Sequence, residues 1–240
     1  MATSQRRLAG RVALITGASR GIGAAIARRF AAEGAHVLLA ARTVGGLEEV
    51  DDAIRAASAE QSQATLIPID LKNIEDIEKL AAAVATRFGK LDVLVGNAAI
   101  LGEMTPVSQI DPKTWDDVIA TNLTANWHLI RTLEPLLLSS DSGRAIFLTS
   151  GVSGGRAYWG GYAVTKTALE ALVQTWAQEV EQTKLRINIV NPGAVRTSMR
   201  AKAYPGENPM TLPPPKDVTE IFVELAAAHC DRHGDVISTQ

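Results

Sequence analysis

Four apolar residues, Val12-Ala13-Leu14-Ile15, run directly into Thr16-Gly17-Ala18-Ser19-Arg20-Gly21-Ile22-Gly23, and beyond that turn Ile22, Ala25, Ile26, Arg29 and Phe30 fall mostly at helical spacing. A short continuous apolar run reads as a buried parallel strand, so the glycines stand where a strand becomes a helix. Free backbone N–H groups and the positive end of the helix dipole point out of such a turn. A phosphate can approach it closely because glycine has no Cβ. A tight turn without a ligand has the same pattern, so the rest of the chain has to decide.

The alternation continues. Gly34 supplies a stop and His36-Val37-Leu38-Leu39-Ala40 reads as a second strand, followed by a helix marked by Leu47, Val50, Ile54 and Ala57. Leu66-Ile67-Pro68-Ile69 is a third strand ending at Asp70. Asn73 then caps a helix with Glu75 and Asp76 in its first turn, a stripe of Ile77, Leu80, Val84 and Phe88, and Gly89 as its stop. Val93-Leu94-Val95 is the fourth strand, and Asp111-Pro112 opens a helix whose pattern runs from Trp115 to about Pro135. Ala145 to Leu148 and Leu185 to Val190 are strands five and six, with a long helix from Tyr162 to Glu181 between them. From Ser198 to Pro215 periodicity is lost across five prolines, which predicts a substrate loop over 198–216 before a helix resumes near Asp217. Strands and helices alternating at this spacing predict an α/β fold: a doubly wound parallel sheet of Rossmann type, three layers deep, in a single domain over 1–240. Ligands bind such sheets outside the carboxyl ends of the strands.

At a formal charge of −2 with scattered Lys and Arg, the chain offers no basic stripe for nucleic acid and no anchor for an anionic membrane surface. No apolar segment is long enough to cross a bilayer. The single Cys230 excludes an internal disulfide and suits a reducing compartment, so a cytoplasmic protein is expected, with residues 1–9 as a flexible extension. His229-Cys230-x-x-His233 is expected to be a frayed, polar helix end rather than a metal site.

Tyr162 and Lys166 stand four apart at the start of the long helix, so their polar ends can meet. Bringing a phenol from a pKa of about 10 to about 7 takes roughly 4 kcal/mol, which a neighbouring ammonium together with a nicotinamide cation could supply. A half-buried aromatic beside an exposed lysine has the same spacing.

Thr16-Gly17-x-x-x-Gly21-x-Gly23, Asn97-Ala98, Asn122, Ser150, Tyr162-x-x-x-Lys166 and Asn191-Pro192-Gly193 together resemble the short-chain dehydrogenase/reductase family, over about residues 8 to 197. The resemblance implies Tyr162 as general acid/base, Lys166 lowering its pKa and holding the nicotinamide ribose, Ser150 bonding the substrate oxygen, and Asn122 holding a water that links Lys166 to solvent. It also implies a nicotinamide cofactor contacted by Thr16, Gly17, Ser19, Arg20, Gly21, Ile22, Gly23, Arg42, Asp70, Leu71, Asn97, Ala98, Tyr162, Lys166, Pro192, Gly193, Val195 and Thr197. Asp70 would meet the adenine and Thr197 the carboxamide or pyrophosphate.

Two departures from the family pattern stand out. Gly96-Asn97-Ala98-Ala99 replaces the usual Asn-Asn-Ala-Gly, and Ser150 lies twelve residues before Tyr162, one fewer than usual. Thr149 is the competing hydroxyl. It fits the last buried position of its strand, so its loss is expected to cost mainly stability, and Ser150 is chosen for the substrate.

At the end of strand two, where NAD-preferring members carry an acid, this chain has Ala41 followed by Arg42. With Arg20 these favour NADP over NAD. The expected activity is hydride transfer between NADP and a carbonyl or secondary alcohol carbon, the alternative being a non-catalytic NADP-binding protein for sensing or assembly. Leu101, Met104, Val152, Tyr158, Trp159, Met199, Tyr204 and Met210 suggest an apolar pocket for a hydrophobic small molecule. Leu169, Leu172, Val173, Trp176 and Val180, with Ala163, Ala168, Ala171 and Ala177, give the long helix more apolar girth than one sheet face needs. A homodimer or homotetramer is therefore expected.

Overall fold

The computed structural model describes residues 6–57 and 63–239. Among them seven parallel strands form one sheet in the order β3-β2-β1-β4-β5-β6-β7, with β1 Val12–Thr16, β2 His36–Ala41, β3 Gln63–Pro68, β4 Val93–Gly96, β5 Arg144–Leu148, β6 Arg186–Asn191 and β7 Val236–Ser238. The order reverses between β1 and β4, where Ala13 lies opposite Val93, and this opens the crevice expected of a doubly wound sheet.

Alternate strand residues enter opposite layers. Leu14, Leu38, Leu94 and Phe147 pack against α3 (Ile74–Phe88), α5 (Ala125–Leu138) and α6 (Gly160–Glu179). Ile15, Leu39, Val95 and Ile146 pack against α1 (Gly21–Ala32), α2 (Val44–Ala57) and α8 (Glu220–Ala226). The Asn73 side chain caps α3 by accepting from Glu75 N–H at 3.1 Å, and Gly89 closes that helix at φ +69°. Asp111 likewise caps α4 (Pro112–Ile119), accepting from Thr114 N–H at 2.9 Å.

Several expectations change. Pro135 does not end its helix, which continues to Leu138. It sits on the exposed side of the helix, away from the core. Between α4 and α5 the chain widens into a π-helical segment, Ala120–Thr124. The predicted 198–216 loop contains a helix, α7 (Ser198–Ala203), whose N-cap Thr197 accepts from Arg200 N–H at 3.1 Å, and short 3₁₀ turns at Pro209–Thr211 and Pro215–Val218. On α6, Leu169, Val173, Trp176, Ala177 and Val180 are spent on the chain's own core. Its outward face retains Val164, Ala168, Ala171 and Leu172.

The His229-Cys230 stretch is not a helix end, since α8 stops at Ala226. His233 is instead a structural tie: its Nδ1 accepts from Ile187 N–H at 3.1 Å, which leaves Nε2 to donate to the Ala177 carbonyl at 2.8 Å. The predicted extension is also revised, though residues 1–5 lie outside the described residues. Leu8 is fully buried against the α1 layer, and the Arg7 guanidinium reaches both Glu33 and Glu220, which Arg29 also engages. Burial alone would raise the Glu33 carboxyl, but the hydrogen bonds from Arg7 and Arg29 overcome it and hold its pKa down at about 2. No described helix is long and apolar enough to cross a membrane.

Candidate active site

A cavity of about 690 Å³ opens at the carboxyl ends of β1, β2, β4 and β5. Its wall at one end is the turn from β1 to α1. A Cβ at Gly23 would lie 2.4 Å from the Gly17 carbonyl oxygen and 2.5 Å from Asn97 Nδ2, so only glycine lets the helix start this close to the turn. Asn97 fastens the turn by donating from Nδ2 to the Thr16 carbonyl at 2.8 Å. The buried Thr16 hydroxyl donates to the Val95 carbonyl at 3.1 Å and accepts from the N–H groups of Asn97 and Ala98, at 3.0 and 3.1 Å.

The departure at Gly96 now has a physical reason: a Cβ there would lie 2.3 Å from the Phe147 ring, so this chain has exchanged the usual side chain for a packed aromatic. Ala99 lies in the cavity wall.

Of the residues expected at the cofactor, Gly17, Ser19, Arg20, Gly21, Ile22, Arg42, Asp70, Leu71, Asn97, Ala98, Tyr162, Lys166, Pro192 and Thr197 line this cavity. Thr16, Gly23, Gly193 and Val195 do not. The first two hold the turn from behind, Gly193 donates its N–H to Asn191 Oδ1 at 3.1 Å, and Val195 is buried. Thr43, Gly102, Glu103, Thr114, Thr121 and Lys202 also line it and were not foreseen; so does Thr149, whereas Ser150, chosen for the substrate, is not in its wall. Thr114 and Thr121 look like ordinary helix positions in sequence. Thr43 follows Arg42 directly, a signal that was available. The wall carries four cations, Arg20, Arg42, Lys166 and Lys202, against two carboxylates, Asp70 and Glu103, which suits an anionic ligand.

Beyond the cofactor end, Tyr162 and Lys166 face inward from α6, both buried. Ser150 lies beside Tyr162, close enough for its hydroxyl to act on the phenol. Thr149 turns its hydroxyl elsewhere, donating it to Glu170. Lys166 donates to the Leu148 carbonyl at 2.7 Å, and its ammonium lies 5.6 Å from the centre of the Tyr162 ring.

Burial pushes the Tyr162 phenol above its ordinary value, with the Ser150 hydroxyl pulling the other way. The lowering expected from Lys166 is therefore not met by the chain's own groups. Burial likewise brings Lys166 down to about 8, opposed by the Glu170 carboxylate.

Asn122, in the π-helical segment, is fully buried. Its Oδ1 accepts from Ile100 N–H at 2.8 Å, while its amide hydrogens go to the Ile100 carbonyl at 2.9 Å and the Thr165 hydroxyl at 3.2 Å. Both amide hydrogens are spent on fastening the cavity floor, so only acceptor capacity is left for a water.

The expected apolar pocket forms in part. Leu101, Val152 and Trp159 cluster with Tyr162, and Met199 and Tyr204 pack on them from the segment after β6. Met104, Tyr158 and Met210 point to solvent instead, at 38%, 61% and 74% exposure. Arg200 pins the segment by stacking 3.9 Å over the Tyr204 ring while pairing with Glu207 through two contacts of 2.6 Å.

The family model for short chain dehydrogenase matches residues 11–208. The uncharacterized oxidoreductase YciK of Escherichia coli K12 is 39% identical over 216 residues, covering 90% of this chain and 85% of the relative. An uncharacterized oxidoreductase of Mycobacterium tuberculosis H37Rv, named as NAD-dependent, is 31% identical over 248 residues, covering 91% of this chain and 90% of the relative. A solved short-chain dehydrogenase structure from Escherichia coli CFT073, complexed with NADPH, superposes with a TM-score of 0.93 at 38% identity, covering 99% of each chain. With the glycine turn, the reversed strand order and the Tyr162-x-x-x-Lys166 helix all in place, the chain belongs to the short-chain dehydrogenase/reductase family of oxidoreductases.

Proposed function

We propose that this chain is an NADP-dependent oxidoreductase acting on a carbonyl or secondary alcohol carbon, with Tyr162 as general acid/base. The observation that carries this is the Tyr162 phenol with the Lys166 ammonium 5.6 Å from its ring centre, both at one end of a cavity whose other end is the glycine turn. The turn and the start of α1 suit a pyrophosphate. Arg20 and Arg42, exposed in the wall beside Ala41, suit a 2′-phosphate, Asp70 and Ala98 the adenosine half, and Thr197 and Pro192 the nicotinamide end. The bound nicotinamide would supply or accept the hydride.

The chain's own groups manage the proton. Ser150 donates to the substrate oxygen, and the raised pKa of Tyr162 keeps its phenol protonated, the form needed to give a proton to a carbonyl oxygen during reduction. In oxidation the same oxygen takes the proton back, with the Lys166 charge favouring the phenolate. The apolar cluster of Leu101, Val152, Trp159, Met199 and Tyr204 suits a hydrophobic substrate.

NADPH oxidation across ketones, aldehydes, quinones and acyl thioesters tests the activity. Tight NADPH binding with no turnover on any of them would leave a binding protein on the same fold.

The NADPH-bound structure and the NAD-named relative show that family membership alone does not choose the cofactor. The choice rests on Arg20, Ala41 and Arg42. Arg42→Ala is expected to weaken NADPH binding by about 1.5–3 kcal/mol, the scale of hydrogen bonds to charged groups, and to leave NADH nearly unaffected. Equal losses for both cofactors in a titration would remove the phosphate-binding role.

The same reading extends to assembly. Val164 on α6 is 46% exposed and Trp127 on α5 is 44% exposed, and with Ala168, Ala171 and Leu172 they form an apolar face that a second copy would cover about a two-fold axis. Light scattering at micromolar concentration is expected to give a dimer or tetramer, and a monomer there refutes it.

A further inference from the structure

Three consecutive residues leaving β5 each engage the same face of α6. The Leu148 carbonyl accepts from Lys166 at 2.7 Å, the Thr149 hydroxyl donates to the Glu170 carboxylate, and Ser150 lies beside Tyr162. Residues 162, 166 and 170 are spaced by four and form one stripe of the helix. Thr149 is also fixed from the other side, its N–H donating to the Val190 carbonyl at 2.9 Å on β6. Two of these three links involve residues placed in the chemistry above. The third is a charge-assisted hydrogen bond, the strongest kind a hydroxyl makes, between two residues that no step of that chemistry uses.

We propose that Glu170 is a positioning residue: by accepting the Thr149 hydroxyl it sets how the end of β5 lies along α6, which holds Ser150 against Tyr162, and its carboxylate is the counter-charge for buried Lys166. This rests on Tyr162 and Lys166 being the working pair.

The charge part follows from what surrounds Lys166. From α6 it is faced by Tyr162 and Glu170. The end of β5 presents a carbonyl and two neutral hydroxyls, and the π-helical segment presents Thr121 and Asn122, also neutral. On α4, Trp115 and Val118 pack near Gly161, while Asp117 is taken up by Lys72 and Lys113. On β6, Arg186 lies at the far end, bonded to the Thr183 and Leu185 carbonyls. Glu170 lies one helical turn beyond Lys166 on the same stripe of α6, and its carboxylate opposes the burial that lowers Lys166.

Glu170→Leu removes both the acceptor and the charge; Glu170→Gln keeps an acceptor and removes only the charge. Glu170→Leu and Thr149→Val are each expected to lower kcat by about 10- to 100-fold, the scale on which small misplacements of reacting groups are felt, with NADPH affinity at neutral pH little changed. Thr149→Val thus affects turnover, beyond the stability cost that the sequence alone suggests. Thr149→Ser is expected to restore most of the kcat that Thr149→Val loses.

Glu170→Gln is expected to recover neutral-pH kcat relative to Glu170→Leu. It should also move the alkaline limb of the pH profile to lower pH, because Lys166 without its counter-charge gives up its proton sooner. If Glu170→Leu is too unstable to assay, the Gln, Val and Ser variants carry the test. Wild-type kcat in Thr149→Val, together with an unshifted alkaline limb in Glu170→Gln, makes the pair merely structural and overturns the inference. Turnover surviving in Tyr162→Phe overturns the underlying reading instead, so the two failures are distinguishable.

Discussion

Tyr162→Phe is expected to lower kcat by about 10²–10⁴, the range supplied by a positioned general acid or base, while the protein stays folded and binds NADPH. Phenylalanine keeps the ring that packs against Trp159, whose centre is 5.8 Å away, and removes only the phenol oxygen. The loss should therefore appear in turnover and not in melting temperature. The direction of the phenol shift adds a check. Burial holds Tyr162 protonated in the chain alone, so carbonyl reduction is expected to persist at neutral pH and to fail as the pH rises, first through loss of the Lys166 proton at about 8 and then as Tyr162 ionises. Alcohol oxidation needs the phenolate and is expected to rise over that same interval. A reduction rate that increases steadily with pH contradicts Tyr162 as the proton donor.

Ser150→Ala is expected to cost about 10²–10³ in kcat, the scale for losing one donor to a developing oxyanion, with NADPH affinity little changed. This loss should exceed that of Thr149→Val, whose hydroxyl is turned away from the Tyr162 oxygen and donated to Glu170. The two variants measured side by side decide which hydroxyl meets the substrate. An active Ser150→Ala beside an inactive but folded, NADPH-binding Thr149→Val would assign it to Thr149.

What the sequence revealed follows from how strongly each element writes its pattern. β1, β2 and β4 are buried on both faces and read as unbroken apolar runs, and the Asn73 and Asp111 caps use side chains whose chemistry points to one position. β7 is three residues long, exposed at both ends and paired on one side only, so it carries no run to read. α7 has no buried residue, hence no stripe, and the prolines downstream mask it. At the site, the glycine turn and the Tyr162–Lys166 pair were legible because their spacing is set by local backbone geometry. The Glu170 bond to Thr149 was not, because it joins residues 21 apart through the packing of a strand end on a helix. The outward Tyr158 was missed for a related reason: its positive φ of 70° turns the side chain away from a pocket its apolar neighbours do enter.

Arg7 and Glu220 stand 213 positions apart, yet with Arg29 and Glu33 they make one ionic clasp over the outside of α1. During synthesis the first strand and α1 emerge well before Glu220, which lies 191 positions after Arg29. Until then the two arginines share only Glu33, and the lead-in to the first strand has lost a main anchor. Closing such a distant pair follows the formation of the local βαβ units, since loop-closure entropy must be met before a long-range contact contributes. The clasp therefore records the docking of α8 on α1: loss of either Arg7 or Glu220 releases it, and protease sensitivity at Arg6 and Arg7 would report whether α8 has docked.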